Sequence, residues 1–156
     1  MTVFKAEEVF QFAVRIEENG ENFYRKAAEK VPDEKTSTLF KSLADEEVKH
    51  KEIFQNMASK IEKYEPFENY PGEYFEYLRA YADNIIFDDK KLAEKINSIT
   101  GPVDAINFAI DTELASILYY HDIKKLVPAE KHDLIDRIIE EERRHFTRLT
   151  KIKESM

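Results

Sequence analysis

Two helical stripes in this chain each carry a glutamate and a histidine, three residues apart, in the middle of an otherwise apolar face. In the stretch 39–61, apolar residues recur at alternating spacings of three and four, which places them on one side of a helix together with Glu47 and His50. A later stretch repeats the pattern around Glu142 and His145. An uncompensated buried carboxylate is strongly destabilising, so each pair requires a wet cleft or a cation. The recurrence at matching positions favours the cation.

Each of these stripes follows another that carries one central carboxylate. The stripe 10–31 contains Glu17, and the stripe 106–127 contains Glu113. The turns that come next are also alike, VPDEK in the first case and VPAEK in the second. In each hairpin, the two glutamates are separated from the turn between them by nearly equal numbers of residues. Because a helix has a constant rise per residue, all four glutamates are expected at the same height along the helix axes. The chain is therefore predicted to be a duplicated helical hairpin.

Small residues stand one turn after Glu17 and Glu113, where the chain has Gly20 and Ser116. A glycine inside a helix costs about 1 kcal/mol relative to alanine, so we expect a packing reason for Gly20. Small side chains at both positions would leave room beside the carboxylates.

The composition predicts an all-α protein, because Gly and Pro number only 3 and 5 among 156 residues, while Glu, Lys, Leu, Ile and Ala are abundant. We predict one domain, 1–156, with a first hairpin at 5–64, a crossover at 65–101 and a second hairpin at 102–154. A long crossover allows the third helix to start at the opposite end of a four-helix bundle. The predicted helices span 5–31, 36–64, 102–127 and 128–154, with shorter helical pieces at 73–87 and 89–99.

Aromatic residues are concentrated at and within the crossover. We expect them to pack over the bundle or to form a dimer contact, with a ligand gate as the alternative. They are Tyr64, Phe67, Tyr70, Tyr74, Phe75, Tyr77, Tyr81 and Phe87.

Charge and cysteine content exclude several classes of protein and site. A formal net charge of −8 argues against binding to nucleic acid or to an anionic membrane surface. No apolar run approaches the roughly 18 residues of a membrane span, and the first residues lack the apolar region of a secretory signal, so a cytoplasmic protein is expected. Because the chain has no Cys, a metal would have only oxygen and nitrogen ligands.

The pattern resembles the ferritin-like di-iron carboxylate superfamily and, within it, the rubrerythrin-like branch. In that superfamily one Glu from each of two helices and a Glu-x-x-His motif from each of the other two point into the bundle core. The first helix also resembles that of rubrerythrin relatives in its run Glu17-x-x-Gly20-x-x-Phe23-Tyr24. The resemblance covers the two hairpins and implies a ferritin-like four-helix bundle. Its matching residues are Glu17, Glu47-x-x-His50, Glu113 and Glu142-x-x-His145.

Two departures from rubrerythrins shape the expected chemistry. Rubrerythrins proper carry a rubredoxin-like centre held by four Cys, and this chain has none. They also place an extra Glu one turn after the third-helix ligand, where this chain has Ser116. We therefore expect an external electron donor, such as a rubredoxin-like protein, and an altered balance between reaction with peroxide and reaction with dioxygen.

The resemblance implies two metal ions per chain. The charge agrees with that number, because four carboxylates balance two divalent cations. Carboxylate and imidazole ligands suit iron, manganese or zinc, and the resemblance favours iron. The expected ligands are Glu47 and Glu142 as bridges, Glu17 with His50 on one ion, and Glu113 with His145 on the other.

Tyr24 and Tyr120 lie two turns after Glu17 and Glu113 on the same helical faces. Two interpretations stay open for them. Each ring could pack in the core with some partner for its hydroxyl, or each hydroxyl could hydrogen-bond a ligand carboxylate.

The other histidines and the acidic runs lack this stripe context. His121 and His132 are expected at the surface. The acidic runs 45–46 and 140–141 are expected to be solvated faces.

Three functions follow from these features. The leading expectation is a di-iron oxidoreductase that reduces peroxide or dioxygen; the alternatives are ferritin-like iron storage and a metal pair that is purely structural. We expect a homodimer, as among rubrerythrin relatives. Iron storage would instead need a closed shell of many chains.

Overall fold

The computed structural model describes residues 6–60, 72–85 and 88–156, and these residues form helices without any strand. This confirms the predicted all-α class. The six α-helices are α1 (Ala6–Lys30), α2 (Glu34–Lys60), α3 (Gly72–Ile85), α4 (Asp89–Asn97), α5 (Pro102–Lys124) and α6 (His132–Glu154).

The first hairpin joins α1 to α2 through a turn of three residues. The helix α2 begins earlier than predicted, because the Asp33 carboxylate accepts a hydrogen bond of 2.9 Å from the backbone N–H of Thr36 and caps the first turn. Pro32 therefore lies in the turn that precedes the helix. The predicted end of this helix, 61–64, lies outside the described residues.

The second hairpin joins α5 to α6 through a short 3-10 turn, Ala129–Lys131. The prediction that the fourth helix starts at Pro128 was therefore early by one turn, and the third helix ends at Lys124, before the predicted Val127. The helix α1 contacts α5, and α2 contacts α6, so the two hairpins together form the four-helix bundle.

The crossover helices lie against the bundle. In α3 the Tyr81 hydroxyl donates to the carbonyl of Ala115 on α5, and the Tyr81 ring stacks on that of Tyr119 with centroids 5.5 Å apart. In α4 the Asp89 carboxylate pairs with Arg15 of α1 at 2.8 Å. Tyr81 thus packs over the bundle, as one of the predicted alternatives requires, whereas Tyr77 is exposed and its hydroxyl donates to the Asp122 carboxylate at 3.0 Å. The remaining aromatic side chains of the predicted cluster, those of Tyr64, Phe67, Tyr70, Tyr74, Phe75 and Phe87, lie outside the described part.

The core consists of two apolar clusters on either side of a polar layer. One cluster includes Phe10, Phe54 and Tyr120, and the other includes Tyr24 and Phe40. Full burial of a side chain such as Phe contributes about 1.5–3 kcal/mol, so these clusters stabilise the bundle on both sides of the layer. We call the layer between them the Glu–His layer; it consists of Glu17, Glu47, His50, Glu113, Glu142 and His145, all of them buried.

Among the described helices, none combines the length and the apolar character needed to cross a bilayer.

Candidate metal centre

The structure brings all six residues of the Glu–His layer together in two groups. The first group contains Glu17, Glu47, His50 and Glu142, and in the second Glu113 and His145 join Glu47 and Glu142. Within each group the possible ligand atoms lie within 4.8 Å of one another. The groups therefore share two carboxylates, Glu47 and Glu142, which is the geometry that the bridging assignment needs. That assignment itself stays a prediction.

Each helix of the bundle contributes to the layer. Glu17 projects from α1 and Glu113 from α5, while α2 and α6 each supply a Glu-x-x-His pair. A spacing of three residues puts both members of a pair on one helical face, so the pair points where the neighbouring apolar residues point. The two imidazole rings are nearly parallel, with an interplanar angle of 16° and centroids 5.8 Å apart.

Both imidazoles turn Nδ1 towards the carboxylates of the layer. His50 Nδ1 lies 2.8 Å from Glu142 Oε1, and His145 Nδ1 lies 3.2 Å from Glu142 Oε2 and 3.3 Å from Glu47 Oε1. A metal ion between these groups would thus be bound through Nδ1, which leaves Nε2 of each ring for another partner.

That partner is in both cases a carboxylate from the opposite Glu-x-x-His helix. His50 Nε2 is hydrogen-bonded to Glu141 of α6, and His145 Nε2 lies 2.8 Å from Glu46 Oε2 of α2. Contact with His145 lowers the pKa of Glu46, so this carboxylate stays charged. A carboxylate on the outer nitrogen of a metal-binding histidine fixes the orientation of the ring.

The prediction that the acidic runs are merely solvated was therefore wrong for Glu46 and Glu141. Both reach inward from the surface, with side chains that are 34% and 45% exposed. The sequence contains a signal for this inward position, because Glu46 and Glu141 each directly precede the Glu of a Glu-x-x-His motif. One residue along a helix is a rotation of about 100°, which directs such a side chain towards the neighbouring helix of the bundle.

The two tyrosines bind carboxylates of the layer on the opposite hairpin. The Tyr24 hydroxyl donates to Glu113 Oε1, and the Tyr120 hydroxyl donates to Glu17 Oε1. Both rings are also buried in the core, so the two interpretations left open by the sequence hold together. Burial and then the nearby glutamate charges raise the pKa of both phenols well above the usual value, so they remain protonated donors.

Burial also sets the protonation of the layer. It raises the pKa of Glu47 and Glu113, and repulsion from Glu142 adds to the rise. Burial lowers the pKa of His50, but contacts with Glu142 and Glu17 outweigh it and raise the pKa to about 12. Without a metal, protons balance the charge, and metal binding would release them.

Unpartnered atoms in this layer test whether a cation fits. Among the described residues, no aligned hydrogen bond reaches Glu17 Oε2, His50 Nδ1, either carboxylate oxygen of Glu142, or His145 Nδ1. A buried polar atom without a partner costs about 1–3 kcal/mol, and these atoms converge on the two groups, so the donor set fits two cations bound by oxygen and nitrogen. His145 Nε2 also lacks an aligned hydrogen bond, although it lies close to Glu46.

Gly20 has the packing reason that the sequence predicted. A Cβ at this position would lie 3.2 Å from Glu47 Oε2 and 3.3 Å from Glu47 Cδ, closer than ordinary van der Waals contact. Ser116 is also buried, and its hydroxyl donates to the carbonyl of Thr112 at 2.9 Å. The absence of a side chain at Gly20 thus makes room for the Glu47 carboxylate on this side of the layer.

The sequence model of the rubrerythrin family matches residues 8–153. The chain belongs to the rubrerythrin family. This membership and the two buried groups together indicate a di-metal site in a diiron-carboxylate protein.

Among solved structures, one described as a ferritin-like diiron-carboxylate protein from Thermotoga maritima is similar to this rubrerythrin-family chain. The TM-score is 0.71 and the sequence identity 24%, and the match covers 99% of this chain and 97% of that one. The similarity confirms the ferritin-like fold. No curated protein matches the chain.

The other two histidines of this rubrerythrin-family chain lie apart from the layer. His121 is exposed, as expected. His132 is partly buried, and its Nε2 lies 2.9 Å from the carbonyl oxygen of Val127, so it contributes to the turn before α6.

Removal of a shared carboxylate should release both metal ions. We expect Glu142→Ala to lower the metal content from about two ions per chain to near zero, whereas Glu17→Ala should lower it to about one. The physical reason is that Glu142 belongs to both groups and Glu17 to only one. Elemental analysis of the purified, dialysed variants measures this. If Glu142→Ala retained one tightly bound ion, the shared-bridge assignment would be wrong.

Addition of a methyl group at Gly20 should weaken metal binding without weakening the helix. We expect Gly20→Ala to lower metal affinity by about 10–100-fold, because its Cβ would displace the Glu47 carboxylate. The metal-free variant should unfold at no lower temperature, since alanine favours a helix. Competition with a chelator measures the affinity.

The control for this variant is Gly101→Ala. A Cβ there meets no atom within 4 Å, and the backbone is extended with φ at 174°, so metal affinity should not change. If Gly20→Ala and the unaltered protein had equal metal affinities, the added methyl group would not displace the Glu47 carboxylate and the packing argument for Gly20 would be wrong.

Proposed function

We propose that this chain is a di-iron oxidoreductase that reduces peroxide or dioxygen with electrons from an external donor. The observation that carries the proposal is the convergence of unpartnered carboxylate and imidazole atoms in two groups that share Glu47 and Glu142. Carboxylate and imidazole ligands suit iron, zinc and manganese alike. Membership of the rubrerythrin family is what supports iron among the three.

Two iron ions held here would supply the two electrons that convert one peroxide molecule and two protons into two water molecules. The polypeptide would hold them in a fixed, dry position. Glu46 and Glu141 orient the two imidazoles. The Tyr24 hydroxyl holds Glu113 through Oε1, and the Tyr120 hydroxyl holds Glu17 through Oε1, which leaves Glu17 Oε2 for a metal. The apolar clusters on either side would limit the access of bulk water to the layer.

Electrons must reach the site from outside the chain. The sequence contains no Cys, so it cannot hold a rubredoxin-like iron of its own. A separate rubredoxin-like protein that docks on the surface is the donor in this proposal.

A homodimer is also part of the proposal. Besides the aromatic crossover, the outer face of α5 exposes Leu114 and Leu118, one turn apart, at 47% and 51%. In the proposed dimer, these two side chains would lie at the contact between the copies.

Ferrous iron bound to the protein should be oxidised when the protein is mixed with peroxide or with dioxygen. With two ferrous ions loaded anaerobically, stopped-flow mixing with peroxide or with dioxygen should give a two-electron oxidation per chain, measured as the appearance of ferric absorption. Turnover should begin only after a rubredoxin and its reductase are added, because the chain has no donor of its own. A protein that keeps both ferrous ions yet reacts with neither oxidant would instead have a structural metal pair.

A further inference from the structure

A cavity of about 150 Å³ lies between α1, the crossover and α5. Its walls are mostly apolar and include Ile16, Phe23, Leu92 and Phe108. None of the described residues that line it is basic. The exposed residues Asn84 and Asp111 stand at its rim, so the cavity opens towards solvent between α3 and α5.

One buried polar side chain in the wall of this cavity has an unused acceptor. Asn19 is only 6% exposed, and its Oδ1 finds no hydrogen-bond partner within the described ranges. Buried side-chain polar atoms are nearly always hydrogen-bonded, and an unpaired one costs about 1–3 kcal/mol. A buried acceptor beside an apolar space therefore indicates a ligand that brings its own donor.

The inner end of the cavity approaches the Glu–His layer. Ile16, Phe23, Thr112 and Ser116 line both this cavity and a second void of about 10 Å³. That smaller void extends to Gly20, Tyr24, Glu47 and Glu113, and it is about large enough for one water molecule. A molecule in the cavity would thus sit on the side of the layer where Gly20 and Ser116 keep side chains short.

We infer that this cavity binds a small, uncharged organic molecule, with an apolar body of about the size of phenol, that donates one hydrogen bond to Asn19 Oδ1. An apolar cavity of about 150 Å³ in another protein binds benzene, which sets the size of the body. The absence of a basic group among the described lining residues, together with Asp111 at the rim, disfavours an anion. A longer ligand can extend past Asn84 into solvent.

This inference concerns the polypeptide and goes beyond the proposed oxidoreductase activity. Binding can be measured on protein loaded with zinc, which undergoes no redox reaction. Failure of the ligand site and failure of the oxidant chemistry are therefore separate results.

The test is isothermal titration of zinc-loaded protein with phenol and with benzene. Phenol should bind with one molecule per chain and about tenfold more tightly than benzene, because only phenol satisfies the buried acceptor. Asn19→Leu should abolish this preference, whereas the matched exchange Asn56→Leu, at an exposed position of α2, should leave it unchanged.

A second variant fills the cavity. Ala115 lies in its wall, so Ala115→Leu should reduce binding of both molecules by at least about tenfold while helix content and zinc content stay unchanged. Saturable phenol binding that is equal in the unaltered protein and in both Asn19→Leu and Ala115→Leu would overturn the inference. The absence of any binding of phenol to the unaltered protein would overturn it as well.

Discussion

The burial of four carboxylates and two imidazoles in the middle of a helical bundle is the constraint on which the rest of the structure depends. An uncompensated charge in such a place is strongly destabilising, and four carboxylates also repel one another. Two divalent cations would remove both penalties at once, because they would neutralise the carboxylates and take up the unpartnered oxygen and nitrogen atoms. Burial and repulsion between the carboxylates raise the pKa of Glu47 and Glu113, so protons on these two groups offset part of the charge in the absence of metal.

The surroundings of the layer are organised by the same constraint and by the internal repeat. The hydrogen bond from Tyr24 to Glu113 has its counterpart in the bond from Tyr120 to Glu17. In the same way, Glu141 holds His50 and Glu46 contacts His145. Each of these contacts joins one hairpin to the other, so the polar groups that orient the layer also hold the two halves of the bundle together.

Much of this arrangement could be predicted from the sequence, because it follows from helical periodicity. The spacing of Glu47 and His50 within an apolar stripe predicts both the helix and the inward direction of the pair, and its repetition predicts the hairpin architecture. Gly20 could be explained in advance for a similar reason, since a glycine inside a helix needs a packing partner. These inferences use only the order of residues along a single helix.

The features that sequence reasoning missed depend on contacts between helices. Glu46 and Glu141 have the composition of a solvated face, and only the distance between α2 and α6 shows that they reach the histidines. The start of α6 at His132 was missed because a 3-10 turn after Pro128 has no distinct residue pattern. The cavity beside Asn19 arises from the way that α4 lies against α1 and α5, and no periodicity within the crossover indicates that packing.

Anomalous diffraction from crystals of the iron-loaded protein tests the central claim most directly. The account predicts two iron peaks per chain, about 3.5–4 Å apart, within the Glu–His layer. It also predicts that carboxylate oxygens of Glu47 and Glu142 bind both ions, and that each imidazole binds one ion through Nδ1. A single iron peak, or two peaks with no shared carboxylate, would contradict it.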